Sequence, residues 1–304
     1  MGYGSWKEST WSSYKTTSGI NTARSTADIY KTTRTKDKYL PYNVMRESCD
    51  SDEHPNSTPI ILGLDVTGSM GHLLSIMAKK LGTTVGEIYN RNVVTDPQVC
   101  FAAIDDFITS GNESLQVTQF EADIKIAEQL TELKFIERGG GNGWESYALA
   151  WYFAAYHTKC DAIAKGRKGI IITMGDDGVQ PELSKEEIKR VFGDNIKDDI
   201  RTHALLNKLS RDWEVFHLNI VEGSSYSTKL DTVWKEYLGD NVIKVENVDK
   251  IPEIIVSLLQ KLRGDTLDEI AQSWDGSTGL VVKDALRNLE LATASGNNNG
   301  IVVF

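Results

Sequence analysis

From Pro59 onward the chain alternates between short, continuously apolar runs and longer stretches with apolar residues three and four apart. Pro59-Ile60-Ile61-Leu62-Gly63-Leu64-Asp65 stays apolar until its last residue, the pattern of a strand buried on both faces. Behind it, Leu73, Leu74, Met77, Leu81, Val85 and Ile88 fall on one helical stripe. Val99 to Ile104 reads as a second buried strand. Residues 121–133 read as a helix carried by Ile124, Ala127, Leu130 and Leu133, and 134–137 as a short strand. A glycine cluster, Gly139-Gly140-Gly141-Asn142-Gly143, precedes an apolar helix predicted at 145–158. Gly169 to Met174, GIIITM, is the clearest strand in the chain. Helices follow at 184–192 and 198–209, a strand from Trp213 to Ile220, a helix at 228–237 and a strand at 241–246. Pro252 to Leu262 closes the series, with proline in the first helical turn.

This alternation predicts an α/β fold: a doubly wound, mostly parallel, Rossmann-like sheet with helices on both faces. Ligands of such sheets bind beyond the C-terminal ends of the strands. Chemistry is therefore expected in the loops after residues 65, 105, 138, 174 and 220. The core domain is expected at 58–263, preceded by an arm and linker at 1–57 and followed by a tail at 264–304. The tail offers one possible helix (283–291) and an apolar end, IVVF. No internal repeat is visible.

Charge sharpens the view of the arm. Residues 1–42 hold seven Lys or Arg against three acids, a local net charge of +4 within a chain of net charge −10. They also hold fourteen Ser or Thr and scattered aromatics, Trp6, Trp11, Tyr14, Tyr30 and Tyr39 among them. Such a stretch lacks a helical period and is expected to be extended, docked through its aromatics on the acidic core or on a neighbouring copy. The overall acidity, 43 Asp and Glu against 33 Lys and Arg, argues against a general nucleic-acid or anionic-membrane binder. Cys49, Cys100 and Cys160 form no CxxC pair, so neither a disulfide framework nor a zinc knuckle is expected. No run of about 18 apolar residues occurs, and no apolar segment marks a secretory signal; a cytoplasmic protein is expected.

The loop after the first strand is Asp65-Val66-Thr67-Gly68-Ser69-Met70. A carboxylate ends a buried strand and two hydroxyls follow at alternate positions. In an extended turn the three oxygens point one way, and hard oxygens suit Mg²⁺, which takes six ligands at about 2.1 Å. Ser69 has a second use as a helix cap. Three side chains do not fill the shell, so other strand ends must contribute. Candidates are Asp176 or Asp177 after GIIITM, Asn142, Glu145 or Ser146 around the glycine cluster, and Asp105 and Asp106 after the second strand. The glycine cluster lacks GK[ST] and the GxGxxG spacing of nucleotide loops, and the five histidines show no HExxH.

Asp65-Val66-Thr67-Gly68-Ser69 resembles the DxSxS signature of von Willebrand factor A (vWA) domains, with Thr for the first Ser. The resemblance spans roughly 58–262. It implies a metal-ion-dependent adhesion site, with Asp65, Thr67 and Ser69 as first-loop ligands and Asp176 as the late-strand Asp, Asp177 being its one-residue alternative. The family's loop Thr is missing; Asn142 stands in its place, with Glu145 and Ser146 just beyond. The strings AIDDF, LQVTQFEADI, GGGNGWESYALAWYFAA and ITMGDDG resemble a prokaryotic and phage-type intracellular group, often paired with MoxR-type AAA+ ATPases. The resemblance implies a non-enzymatic protein-binding module. It would hold Mg²⁺ (or Mn²⁺ or Ca²⁺), dock a partner's Asp or Glu on the metal, and act as an adaptor to such an ATPase. The competing expectations are a Mg²⁺-dependent phosphoryl hydrolase and a structural or assembly protein. The hydrolase reading is weakened because Thr67 stands where haloacid dehalogenase-type enzymes carry a second Asp.

Overall fold

The computed structural model describes residues 4–20, 26–30, 34–135, 143–221 and 228–289, with the side chains of residues 26, 27, 69, 71, 72, 228 and 229 left aside. The central sheet has six strands: β1 Thr58–Asp65, β2 Pro97–Ile104, β3 Leu115–Val117, β4 Gly169–Gly175, β5 Trp213–Ile220 and β6 Val242–Val245. Their order is β6-β5-β4-β1-β2-β3. All neighbours pair in parallel except β2 and β3. The chain winds outward from β1 in one direction and from β4 in the other, so the order reverses between β1 and β4. That gap is the topological switch point, where open α/β sheets bind their ligands.

Ten helices longer than one turn are described: α1 Glu8–Ser18, α2 Gly71–Asn90, α3 Lys125–Glu132, α4 Tyr147–Tyr156, α5 Lys185–Phe192, α6 Thr202–Leu209, α7 Thr228–Leu238, α8 Ile251–Arg263, α9 Leu267–Gln272 and α10 Gly276–Leu286. The period of two along β1 sorts them into layers. Ile60, Leu62 and Leu64 face a core shared with α2, α3, α8 and α10, while Ile61 faces α4, α5, α6 and Trp234 of α7. The stripe read from the sequence, Leu73 to Ile88, is the buried face of α2. Eight of the ten residues of α4 are buried. A helix that is apolar all round belongs between two layers, and α4 lies between the sheet and α6.

Several elements differ from expectation. Within the arm expected to be extended, Glu8–Ser18 is helical and ends on Gly19 in the left-handed conformation. Its stripe is a single large residue, Trp11, whose indole occupies a notch on α2; a Cβ at Gly82 would overlap the ring. Sequence period failed here because one buried Trp, and not a repeat of aliphatics, docks the helix. The described residues after Gly264 hold two helices, with Ile270, Val282 and Leu286 buried in the first core; the single helix expected at 283–291 begins earlier, at Gly276. Lys134 and Phe135 are not in a strand, and 136–137 lie outside the described residues. The helix expected from 145 begins at Tyr147 because Trp144–Glu145 pairs in parallel with Gly178–Val179. No described helix is long and apolar enough to cross a membrane.

Candidate metal site

Asp65 ends β1 at the switch point and is fully buried. Its carboxylate is held from two sides. Thr67 donates both its backbone N–H (2.9 Å) and its hydroxyl (2.6 Å) to Oδ1. Tyr147, at the start of α4, donates its hydroxyl to Oδ2 at 3.1 Å. The turn at Asp65 is set against the neighbouring strand end by Val66 N–H, which donates to the Ile104 carbonyl at 2.9 Å. Gly68–Met70 then forms a 3₁₀ turn into α2.

On the other side of the switch point, Gly175 closes against this carboxylate. A Cβ there would overlap the Tyr147 hydroxyl and stand 2.8 Å from Asp65 Oδ2. Glycine is required by close approach, not by backbone conformation. Asp176 comes directly after it, and its charge acts on Asp65. Asp177 is half-buried; its backbone carbonyl accepts from Trp234 Nε1 at 3.1 Å. Glu145 is buried, held near the loop after β4 by the pairing of Trp144–Glu145 with Gly178–Val179. The Ser146 hydroxyl accepts from Phe107 N–H at 3.0 Å and ties the start of α4 to the loop after β2. In that loop Asp105 accepts from Asp106 N–H at 2.8 Å and from the Ser110 hydroxyl, while Asp106 caps the next turn through Ile108 N–H at 3.1 Å.

The structure thus gathers Asp65, Thr67, Glu145, Asp176 and Asp177 at one edge, with Asp105 and Asp106 beside them. Asn142 lies outside the described residues, as does the Ser69 side chain. Sequence reasoning misses Tyr147 and Gly175. Tyr147 sits in an apolar helix and Gly175 at a strand end, and neither position carries a local signal; only the contact across the switch point reveals them.

The electrostatics are those of acids short of a counter-charge. Burial pushes the Asp65 carboxyl up to about 7, partly opposed by the Thr67 and Tyr147 hydrogen bonds and reinforced by Asp176. Burial pushes Glu145 up to about 10, and the charges acting on it next are all negative: Asp65, Asp105, Asp177 and Asp106. Asp105 and Asp177 are raised as well, again mainly by burial. One Glu145 oxygen, Oε2, is buried with no hydrogen-bond partner among the described residues. Among the described residues no three His, Cys, Asp or Glu side chains are grouped so that they could hold a metal ion. A cation here would need hydroxyl oxygen as well, and the one described in this loop is that of Thr67, which donates its proton to Asp65 and keeps its lone pairs. Hard oxygens and a glycine-walled carboxylate fit an oxygen-liganded divalent ion.

No protein-family model matches the chain, and no curated protein matches its sequence. Among solved structures it is similar to the pilus adhesin SpaC of Lactobacillus rhamnosus GG in an open conformation (12% identity, TM-score 0.46, covering 75% of this chain and 31% of that one). It is similar to a von Willebrand factor type A protein of Catenulispora acidiphila (14%, 0.41, 69% and 44%). It is also similar to proximal thread matrix protein 1 of the mussel byssus, whose MIDAS motif is occupied by zinc (9%, 0.38, 74% and 47%). The chain spans less than half the length of each.

Proposed function

We propose that this chain is a vWA-type, metal-dependent protein-binding module. Asp65, Thr67, Ser69 and Asp176 would hold a divalent cation, Mg²⁺ by the size and hardness of the oxygens, with Glu145 as a further carboxylate at the same edge. The observation that carries this reading is the position of Asp65: a buried carboxylate at the switch point, bonded to the Thr67 hydroxyl on one oxygen and surrounded by acids. When bound, the metal would supply an attachment point for a partner's Asp or Glu. The chain's own residues do the rest: Thr67 and Tyr147 orient the Asp65 carboxylate, Gly175 lets β4 close on it, and the surrounding acids set a charge that disfavours anions until a cation enters. An adaptor role beside a MoxR-type AAA+ ATPase, in a cytoplasm of prokaryotic or phage-infected type, is the wider reading we attach to this site.

Calorimetric titration with Mg²⁺, on the wild-type chain and on Asp65→Ala, tests the metal. Uptake by the first and at least a hundredfold weaker uptake by the second is expected; equal uptake by both would refute it. Retention of a partner from extract in Mg²⁺ but not in chelator tests the docking role. Turnover of a generic phosphomonoester that disappears in Asp65→Ala would instead favour the hydrolase.

A further inference from the structure

Next to the candidate metal site lies an open cavity of about 360 Å³, walled by Trp144 and Glu145, by Asp106 and Ile108 from the loop after β2, and by Glu182 and Glu187. Its described lining includes four carboxylates and no Lys, Arg or His. Two of these acids are employed locally, Asp106 on Ile108 N–H and Glu187 on Ser184 N–H at 2.7 Å. Glu145 is different. Its residue is 3% exposed, yet Oε2 has no donor among the described residues. A buried acceptor left without a donor is unusual, and it leaves this oxygen able to take a donor from a bound group. The rim has the opposite character: Trp144 is 43% and Ile108 78% exposed, both large and apolar. Arg190 already lays its guanidinium over Phe107 at the margin of this cavity, 5.0 Å from the ring centre.

We infer that this cavity receives an arginine or lysine side chain of the protein partner, with the cationic head on Glu145 and Glu182 and the aliphatic stem against Trp144 and Ile108. An acidic floor beneath an indole is the environment a guanidinium prefers: charge-assisted hydrogen bonds below, a ring face beside it, and apolar contact for the methylenes. The volume has room for one long side chain, and four carboxylates with no basic residue in the described lining disfavour a phosphate-bearing ligand. The inference rests on reading this edge as a protein-docking surface, but it does not require the metal.

The test uses N-acetyl-arginine amide as the probe and N-acetyl-citrulline amide, its neutral isostere, as the control. Each is titrated into the isotopically labelled full chain, in Mg²⁺ and in chelator, with indole and amide NMR shifts as the readout. The arginine probe should saturate shifts at Trp144 and Glu145, and citrulline should bind at least tenfold more weakly. Glu145→Gln should lose the probe. Trp144→Ala and Glu182→Gln should weaken it at least threefold and leave Mg²⁺ uptake unchanged, while Asp65→Ala should lose Mg²⁺ and keep the probe. Equal binding of citrulline, shifts confined to another surface, or no saturable binding would overturn the inference. Mg²⁺ uptake surviving in Asp65→Ala would overturn the metal reading alone.

Discussion

The hydroxyl of Tyr147 donates to Asp65 Oδ2 across 3.1 Å, so the first residue of a helix on one face of the sheet holds the carboxylate that ends its central strand. Tyr147 is itself wedged edge-on against His217 and Trp234, with centroids 5.1 and 5.3 Å away. Those two rings stack on each other, and His217 is tied to the Thr173 hydroxyl at 3.0 Å. Burial keeps His217 well below the usual histidine pKa, hence neutral. The carboxylate is aimed by a rigid apolar and aromatic layer beneath it.

Tyr147→Phe keeps this packing and removes one donor. A hydrogen bond to a charged group is worth roughly 1.5–3 kcal/mol. Divalent-ion affinity in Tyr147→Phe should therefore fall about tenfold or more, by calorimetry, while the near-UV circular dichroism of the aromatic layer stays as in the wild type. Unchanged affinity would show that Thr67 alone orients Asp65.

Acidity supplies a second expectation. Asp65 is raised by burial to about 7 when folded, against about 3.9 in an unfolded chain. Between these values the folded state holds a proton that the unfolded state has lost, so stability is highest at the acid end and falls as pH rises. Glu145, raised to about 10, extends the decline to higher pH. In chelator the melting temperature should drop from pH 5 to pH 8. Mg²⁺ should reduce or reverse that slope, because it binds the ionised form. Asp65→Asn should flatten the metal-free slope; a melting temperature that rises with pH in chelator would contradict the assignment.

Gly175 is the position where the two halves of the sheet meet the carboxylate. In Gly175→Ala the added methyl would meet the Tyr147 hydroxyl and Asp65 Oδ2. Overpacking of this kind costs roughly 1–3 kcal/mol. The variant should fold with a lower urea midpoint and lose Mg²⁺ uptake. Retained uptake with wild-type affinity would mean that the cradle is looser than the structure describes.

The N-terminal helix offers a test remote from the site. Trp11 is 2% exposed and fills the notch at Gly82. Large aromatic-to-Ala changes in a core cost roughly 3–5 kcal/mol. Trp11→Ala should lower stability on that scale, and Gly82→Val should do so from the other side. Both should expose residues near Glu8–Ser18 to proteolysis while Mg²⁺ uptake persists. Equal protease resistance in all three proteins would deny the helix its anchor.

The primary structure determined the layers and the first loop. Apolar runs at 59–65, 99–104, 169–174 and 213–220 have no other way to hide both faces than as inner strands of a covered sheet, and the observed strands differ from them by a few residues at most. Asp65, Thr67 and Ser69 are legible as a group because an acid at the end of such a strand, with hydroxyls two and four positions on, is a local pattern. Whatever depends on long-range contact is not legible. The order β6-β5-β4-β1-β2-β3 brings Gly175 and Tyr147 onto Asp65 from 110 and 82 residues away, and the short pairing of Glu145 with Val179 carries that acid to the same edge. Ser146, a candidate ligand by its place in the chain, also holds the backbone of Phe107, a contact that its sequence position does not foretell. Period and spacing act within one element; which oxygens converge, and how far burial raises their pKa, is decided only when separate elements close around the same volume.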